Sequence, residues 1–306
     1  MVIEGNKRGI KSRFFLSNSG KYNSVFKKEN YEQIYSFCKE NNVEILNLNE
    51  IKNYPGLTFL IEGVNRESIC DVHISVSMTY MTDFSLSYDK YINNIDYSIF
   101  PSEFFAKKYN KISEKNLYLG STKYDITLNK GEILKKYNLS NQKKALIIFP
   151  RLRDLNKIDM NKIYEIIERE NYEILVKTRG KDPIPSNLRK GKYFEDNSWY
   201  PHTTMELIEI SDFVINFGST SIKECVLLKT PVINFDIKPF PLVLDELYNF
   251  EYCEKFSNNV DDKKLKNAIQ KLVNSNWDDH FNKSIQKYLF KPGNVSSKIL
   301  DRVYKK

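Results

Sequence analysis

The sequence predicts an α/β protein built as two doubly wound parallel-sheet domains. Three observations carry this. Short β-branched and aromatic runs alternate with helical patterns throughout the chain. A polar break at Leu139-Ser140-Asn141-Gln142 separates two halves that share one supersecondary plan. The 306 residues suit two domains of ordinary size, each able to bury its own core.

In the first half, Arg13 to Ser17 reads as a short strand and Tyr31 to Glu40 as a helix, with Ile34, Tyr35 and Cys38 on one face. Val43 to Leu48, Leu57 to Ile61 and His73 to Met78 are strands. Tyr97 to Phe100 is another, ending at Pro101-Ser102, and Ser102 is expected to cap a helix over Glu103 to Tyr109. Leu117 to Gly120 is a strand and Lys130 to Tyr137 a helix. The second half opens on the strand Lys144 to Phe149, followed by the helix Met160 to Arg169, whose apolar stripe is Ile163, Ile166 and Ile167. Tyr172 to Val176 is a strand and Thr203 to Ile210 a helix. Then comes the densest signal: a strand (Phe213 to Phe217), a Gly218-Ser219-Thr220-Ser221 turn, a helix ending at Lys229-Thr230-Pro231, and a strand (Val232 to Phe235). No internal sequence repeat or low-complexity tract is read from the sequence.

Composition narrows the function classes. With 41% hydrophobic and 28% charged residues, the chain is globular rather than disordered. No apolar run is long enough to span a bilayer and the first residues are no signal peptide, so a cytoplasmic location is expected, with association at the inner membrane face in view. The four cysteines have no paired spacing, which fits reduced thiols. The net charge of +8 comes from dispersed lysines. It suits anionic substrates or an anionic lipid surface, and forms no nucleic-acid stripe. The three histidines, His73, His202 and His280, have no partners at zinc-ligand spacing, and there is no Asp-x-Asp. No cofactor and no metal are expected.

A strand that breaks at a glycine and hydroxyl turn before a helix is a candidate phosphate cradle, because free N–H groups at a helix start favour an anion. Ser221-Ile222-Lys223-Glu224 is equally the sequence of a capping box, which would use both side chains to close the helix. Both readings stay open at this point. Basic residues also follow the neighbouring strands: Arg151 and Arg153 after one, Lys177 and Arg179 after the next. In an open α/β sheet the ligand crevice lies at the carboxyl ends of the strands, so these groups should converge there. A guanidinium suits bidentate contact with a diphosphate.

Asp212, the Gly218 to Ser221 turn, Glu224 and Lys229-Thr230-Pro231-Val232 resemble the donor-site signature of GT-B glycosyltransferases. Within that superfamily the segment is most similar to CDP-glycerol glycerophosphotransferases and UDP-N-acetylglucosamine 2-epimerases. Pro101 to Phe105, Gly120 to Asp125 and the tail Tyr288 to Ile299 extend the resemblance. It implies two Rossmann-like domains facing a cleft: residues 1–138 for the acceptor, residues 139–285 for the nucleotide donor, and residues 286–306 as a helix crossing back to the first domain. It implies that Ser219, Thr220 and Ser221 contact the phosphates and that Glu224 contacts the ribose.

A transferase also needs a base for the attacking hydroxyl. First-domain loops supply Glu62 and Asp83; each is as readily a loop or capping carboxylate. Glycerophosphotransferases place a histidine near residues 79–83, and this chain has none there. His202 is a candidate for lining the donor site or for capping the helix after it. The expected activity is metal-independent transfer of a sugar, or glycerol phosphate, from a nucleotide-sugar or CDP-alditol donor to a polysaccharide or lipid-linked acceptor. A UDP-sugar 2-epimerase and a non-catalytic nucleotide-binding relative are the alternatives.

Overall fold

The computed structural model describes residues 1–16, 28–61, 74–78, 92–108, 110–178, 183–195, 202–237, 245–289 and 293–304. The chain forms two compact units, one of residues 1–126 with 285–306 and one of residues 127–284.

In the first unit, helix α1 (Val2–Lys7) precedes strand β1 (Arg13–Leu16), which pairs in parallel with β2 (Glu44–Asn47) across helix α2 (Lys28–Glu40). A four-stranded parallel sheet has the order β3 (Leu57–Ile61), β4 (Ile74–Met78), β5 (Tyr97–Phe100) and β6 (Asn116–Tyr118). Helix α3 (Glu103–Lys108) links the last two. Ser102 does not cap it: the side chain is turned inward, buried, and its Oγ has no hydrogen-bond partner. The terminal helix Val295–Val303 belongs to this unit, packing Val295, Ile299 and Val303 on Val76 of β4 and Ile99 of β5. Its own N-cap, Asn294, is left-handed (φ 55) and makes no side-chain bond. The carboxylate of Asp125 takes over, accepting the amides of Val295 at 2.8 Å and Ser296 at 2.5 Å.

The second unit begins at α4 (Lys130–Lys136), a helix that the sequence places in the first domain. The reason is a buried carboxylate. Glu206 accepts Lys136 Nζ at 2.8 Å and the Tyr137 hydroxyl, and the Tyr137 ring stands edge-on to Phe194. The unit continues with β7 (Lys144–Ile148), α5 (Met160–Arg169), β8 (Glu173–Lys177), β9 (Lys192–Phe194), α6 (Thr203–Glu209), β10 (Phe213–Asn216), α7 (Ile222–Leu227) and β11 (Val232–Phe235). It closes with β12 (Cys253–Phe256), α8 (Asp262–Asn274) and α9 (Asp278–Ser284). The terminal helix is then α10.

All six strands are parallel, in the order β12-β11-β10-β7-β8-β9. Strands β7, β10 and β11 are buried at every position, as expected for a sheet covered on both faces. The predicted stripe of α5 is the face it buries, with Met160 and Tyr164 added, and Asp159 caps its start by accepting Lys162 N at 3.0 Å.

The described cysteines, Cys38, Cys225 and Cys253, are buried and unpaired. Burial pushes the Cys225 thiol well up and the Cys253 thiol to about 12. Since the thiolate is the nucleophile, iodoacetamide at pH 8 should leave both unmodified in the folded protein and label both in urea, read by peptide mass spectrometry. Labelling of either in the native state contradicts this packing.

Candidate functional site

Read from β7 outward, the second unit's sheet runs β7, β8, β9 on one side and β10, β11, β12 on the other. This is the 3-2-1-4-5-6 order of doubly wound folds, and its reversal lies between β7 and β10. Ligands bind such sheets at the carboxyl ends of the strands flanking the reversal. Two segments occupy that position here: residues 149–157 after β7 and residues 217–221 after β10.

After β7 the chain forms a short 3-10 helix, Leu152–Lys157, with Arg151 at its start. Both Arg151 and Arg153 are exposed. Arg153, with 73% of its side chain open to solvent, makes only a loose approach of 3.9 Å to Asp154. Asp154 is buried and satisfied by Lys157 Nζ at 2.7 Å, and the same ammonium donates to Ile237 O at 3.2 Å. This tie fixes the β7 loop to the segment after β11, two strands away, while leaving the arginines available.

After β10 the backbone turns at Gly218, whose φ of 61 is the left-handed value that favours glycine. The turn is folded onto buried asparagines. Gly218 N donates to Asn234 Oδ1 at 2.9 Å and Ser219 N to Asn216 Oδ1 at 3.3 Å. Ser221 N reaches Ser219 Oγ at 3.4 Å, Ile222 N reaches Ser219 O at 3.3 Å, and Lys223 N reaches Thr220 O at 3.2 Å. The sequence predicts free amides at this helix start. The structure instead engages them internally: side chains of β10 and β11 reach up to the amides of Gly218 and Ser219, and the turn's own Ser219 and Thr220 take those of Ser221, Ile222 and Lys223.

The capping box is not formed either. Ser221 already has helical backbone angles (φ −63, ψ −8), whereas a cap needs an extended residue, and it makes no side-chain bond to the helix. Its Oγ lies 3.2 Å from Ser219 Oγ. Ser219 is buried, Ser221 half-buried and Thr220 exposed. Of the three residues, Thr220 is therefore the most exposed. Glu224 is buried in the first turn of α7.

The other predicted residues divide. Lys177 ends a strand enclosed on both faces and is itself buried, with Nζ donating to Thr178 O at 2.9 Å, so it is not the open strand-end cation the sequence suggests. His202 stands at the start of α6, half-buried, and closes the helix with its carbonyl, which accepts Met205 N at 2.9 Å; its side chain makes no cap bond. Arg179, Glu62 and Asp83 lie outside the described residues. Asp212 acts at the opposite edge of the sheet, where its Oδ2 accepts Lys144 N at 2.7 Å and staples the starts of β10 and β7. At that edge, too, an open groove of about 490 Å³ lies between Asp212, Lys229, Trp277 and Asp278, away from the strand-order reversal. Among the described residues, no group of three or more His, Cys, Asp or Glu could hold a metal ion, and no helix is long and apolar enough to cross a membrane.

The residues that sequence reasoning missed are Asn216, Asn234 and Tyr248. The available signal was a repeated tetrapeptide: Val214-Ile215-Asn216-Phe217 recurs as Val232-Ile233-Asn234-Phe235. The two copies pair in parallel and in register, placing one asparagine beside the other, 3.3 Å from Nδ2 to Oδ1.

No family model matches the chain, and no curated protein does. Solved structures do. The wall teichoic acid polymerase TagF, soaked with CDPG, is 18% identical with a TM-score of 0.61, over 96% of this chain and 88% of that one. The UDP-GlcNAc 2-epimerase of Methanocaldococcus jannaschii is 15% identical with a TM-score of 0.64, over 98% and 95%. The S. aureus MnaA–UDP co-structure is 12% identical with a TM-score of 0.57, over 89% and 85%. At these identities the likeness is one of architecture, and with the parallel sheets described above it gives the chain the GT-B fold.

Proposed function

We propose that this protein is a nucleotide-dependent transferase, moving a sugar or a glycerol phosphate from a nucleotide-activated donor to a cell-surface polysaccharide or glycolipid acceptor. The observation that carries the reading is the strand-order reversal between β7 and β10, flanked by exposed Arg151 and Arg153 on one side and the Gly218 to Ser221 turn on the other. Proteins of the same architecture have been solved with CDPG and with UDP, which supports a nucleotide ligand.

In this reading the acceptor hydroxyl gives its proton to a carboxylate, for which Asp83 and Glu62 are the candidates, as its oxygen attacks the donor. The attacked atom is the anomeric carbon of a sugar donor, with a nucleoside diphosphate leaving, or the distal phosphorus of CDP-glycerol, with CMP leaving. Negative charge builds on the leaving phosphate, and Arg151, Arg153 and the Thr220 hydroxyl stabilise it. One such donor is worth about 3 kcal/mol of barrier. Glu224 is assigned to the ribose. No catalytic metal or cofactor is part of the proposal. An acceptor carried on a lipid would bring the enzyme to the inner membrane face, where its net charge of +8 favours anionic headgroups.

Thermal shift with CDP, CMP and UDP tests the donor site: stabilisation by at least one is expected, and none by any at millimolar concentration overturns it. The second reading, a UDP-sugar 2-epimerase, is favoured by the architectural likeness to two such enzymes. It is separated by NMR of UDP-N-acetylglucosamine incubated without acceptor. Epimerisation at C2 supports it; an unchanged sugar supports transfer.

A further inference from the structure

Strands β10 and β11 are otherwise built from Val, Ile and Phe, yet β10 ends on a buried asparagine, Asn216, and β11 carries another, Asn234, one residue before its end. Asparagine is a poor strand residue, and a buried amide is costly unless every group is bonded, so an aliphatic pair would give a more stable sheet. The chain carries a third buried polar group at the same point. The Tyr248 hydroxyl donates to Ser219 O at 2.6 Å and accepts Asn216 Nδ2 at 2.6 Å. Asn216 reaches back with Oδ1 to Ser219 N, and Asn234 Oδ1 holds Gly218 N. Three backbone groups of the turn, Gly218 N, Ser219 N and Ser219 O, are thus clamped from beneath by side chains that are almost completely buried. A satisfied buried network of this kind specifies one geometry. Rules broken for stability at one place in a fold point to function there.

We propose that Tyr248 is a positioning residue of the donor turn, its hydroxyl fixing the Ser219 carbonyl so that Thr220, the exposed residue of the turn, is presented at the sheet edge in one conformation. This rests on the reading of that edge as the nucleotide site. Tyr248→Phe keeps the ring in its pocket and leaves Ser219 O two long contacts, the Asn216 Nδ2 at 3.4 Å and the Ile222 amide at 3.3 Å.

The test measures three quantities on the full chain: Tm, Kd for CDP and UDP by calorimetry, and amide hydrogen exchange at residues 218–222. The expected result for Tyr248→Phe is a folded protein, exchange about tenfold faster in the turn with β7 unchanged, and nucleotide binding weakened about tenfold. Asn234→Ala, which removes the Gly218 acceptor, should act in the same direction and serves if the first variant does not fold. A lowered Tm with unchanged Kd makes the network purely structural and overturns the proposal, as does unchanged exchange in the turn. A wild-type protein that binds neither nucleotide overturns the donor reading itself. That failure is distinct from one in which wild type and variant bind equally well.

Discussion

Alanine at both Arg151 and Arg153 is expected to weaken UDP or CDP binding by about a hundredfold while leaving the fold intact. A hydrogen bond to a charged group contributes about 1.5–3 kcal/mol, so losing two such donors should cost about 3 kcal/mol, or two decades of affinity. Stability should hardly change, because neither side chain supports the loop. Arg153 approaches Asp154 only at 3.9 Å, whereas Lys157 holds that carboxylate at 2.7 Å. Exposed substitutions of this kind stay within about 0.5 kcal/mol. Calorimetric titration with a parallel melting curve checks both halves. Wild-type affinity in the double variant would move the phosphates away from the β7 loop.

Gly191→Ala is expected to destabilise the second unit by about 3 kcal/mol or more. The residue has φ 64, where an L side chain is strained, and an added Cβ would lie 2.2 Å from Ile174 O and 3.0 Å from Ile174 C. Relief by movement is blocked. Ile174 belongs to β8, which is hydrogen-bonded to β7 on one side and to β9 on the other, and β9 begins at the next residue, Lys192. Urea unfolding measures the effect. A variant within about 0.5 kcal/mol of wild type would show that the β8–β9 approach is looser than described.

The architecture was legible because its central strands are apolar runs of the right length and its helices carry clear stripes. Ile163, Ile166 and Ile167 fall on the face that α5 buries, and the carboxyl edge of the sheet follows from the order of elements alone. What escaped was of two kinds. Strand β9 is largely exposed and β12 has Glu254 and Lys255 at its centre, so neither shows a hydrophobic run. Helix α8, by contrast, carries a legible signal: Leu265, Ala268, Ile269 and Leu272 on one face behind an Asp261 cap. The second unit begins ahead of the polar break at residues 139–142 that looks like a linker, and the cause, the burial of Glu206 beneath Lys136 and Tyr137, can only be seen in three dimensions.

At the site, sequence gives the glycine, the hydroxyls and the arginines, yet not who bonds to whom. Local pattern treats a helix start as a set of free amides. Here residues up to 29 positions away in sequence, Asn234 and Tyr248, reach the turn and reassign its backbone groups. A buried strand end such as Lys177 shows the same limit, since a cation after a strand reads as exposed until the strand's neighbours are known.

The central claim is that a diphosphate binds at the carboxyl ends of β7 and β10. A crystal structure of the protein soaked with UDP and with CDP tests it most directly. Phosphate density is expected between Arg151, Arg153 and Thr220, with the Thr220 hydroxyl oxygen about 2.7 Å from a phosphate oxygen. Nucleotide bound instead in the groove beside Trp277 at the opposite edge, or an empty carboxyl edge at saturating concentration, would contradict it.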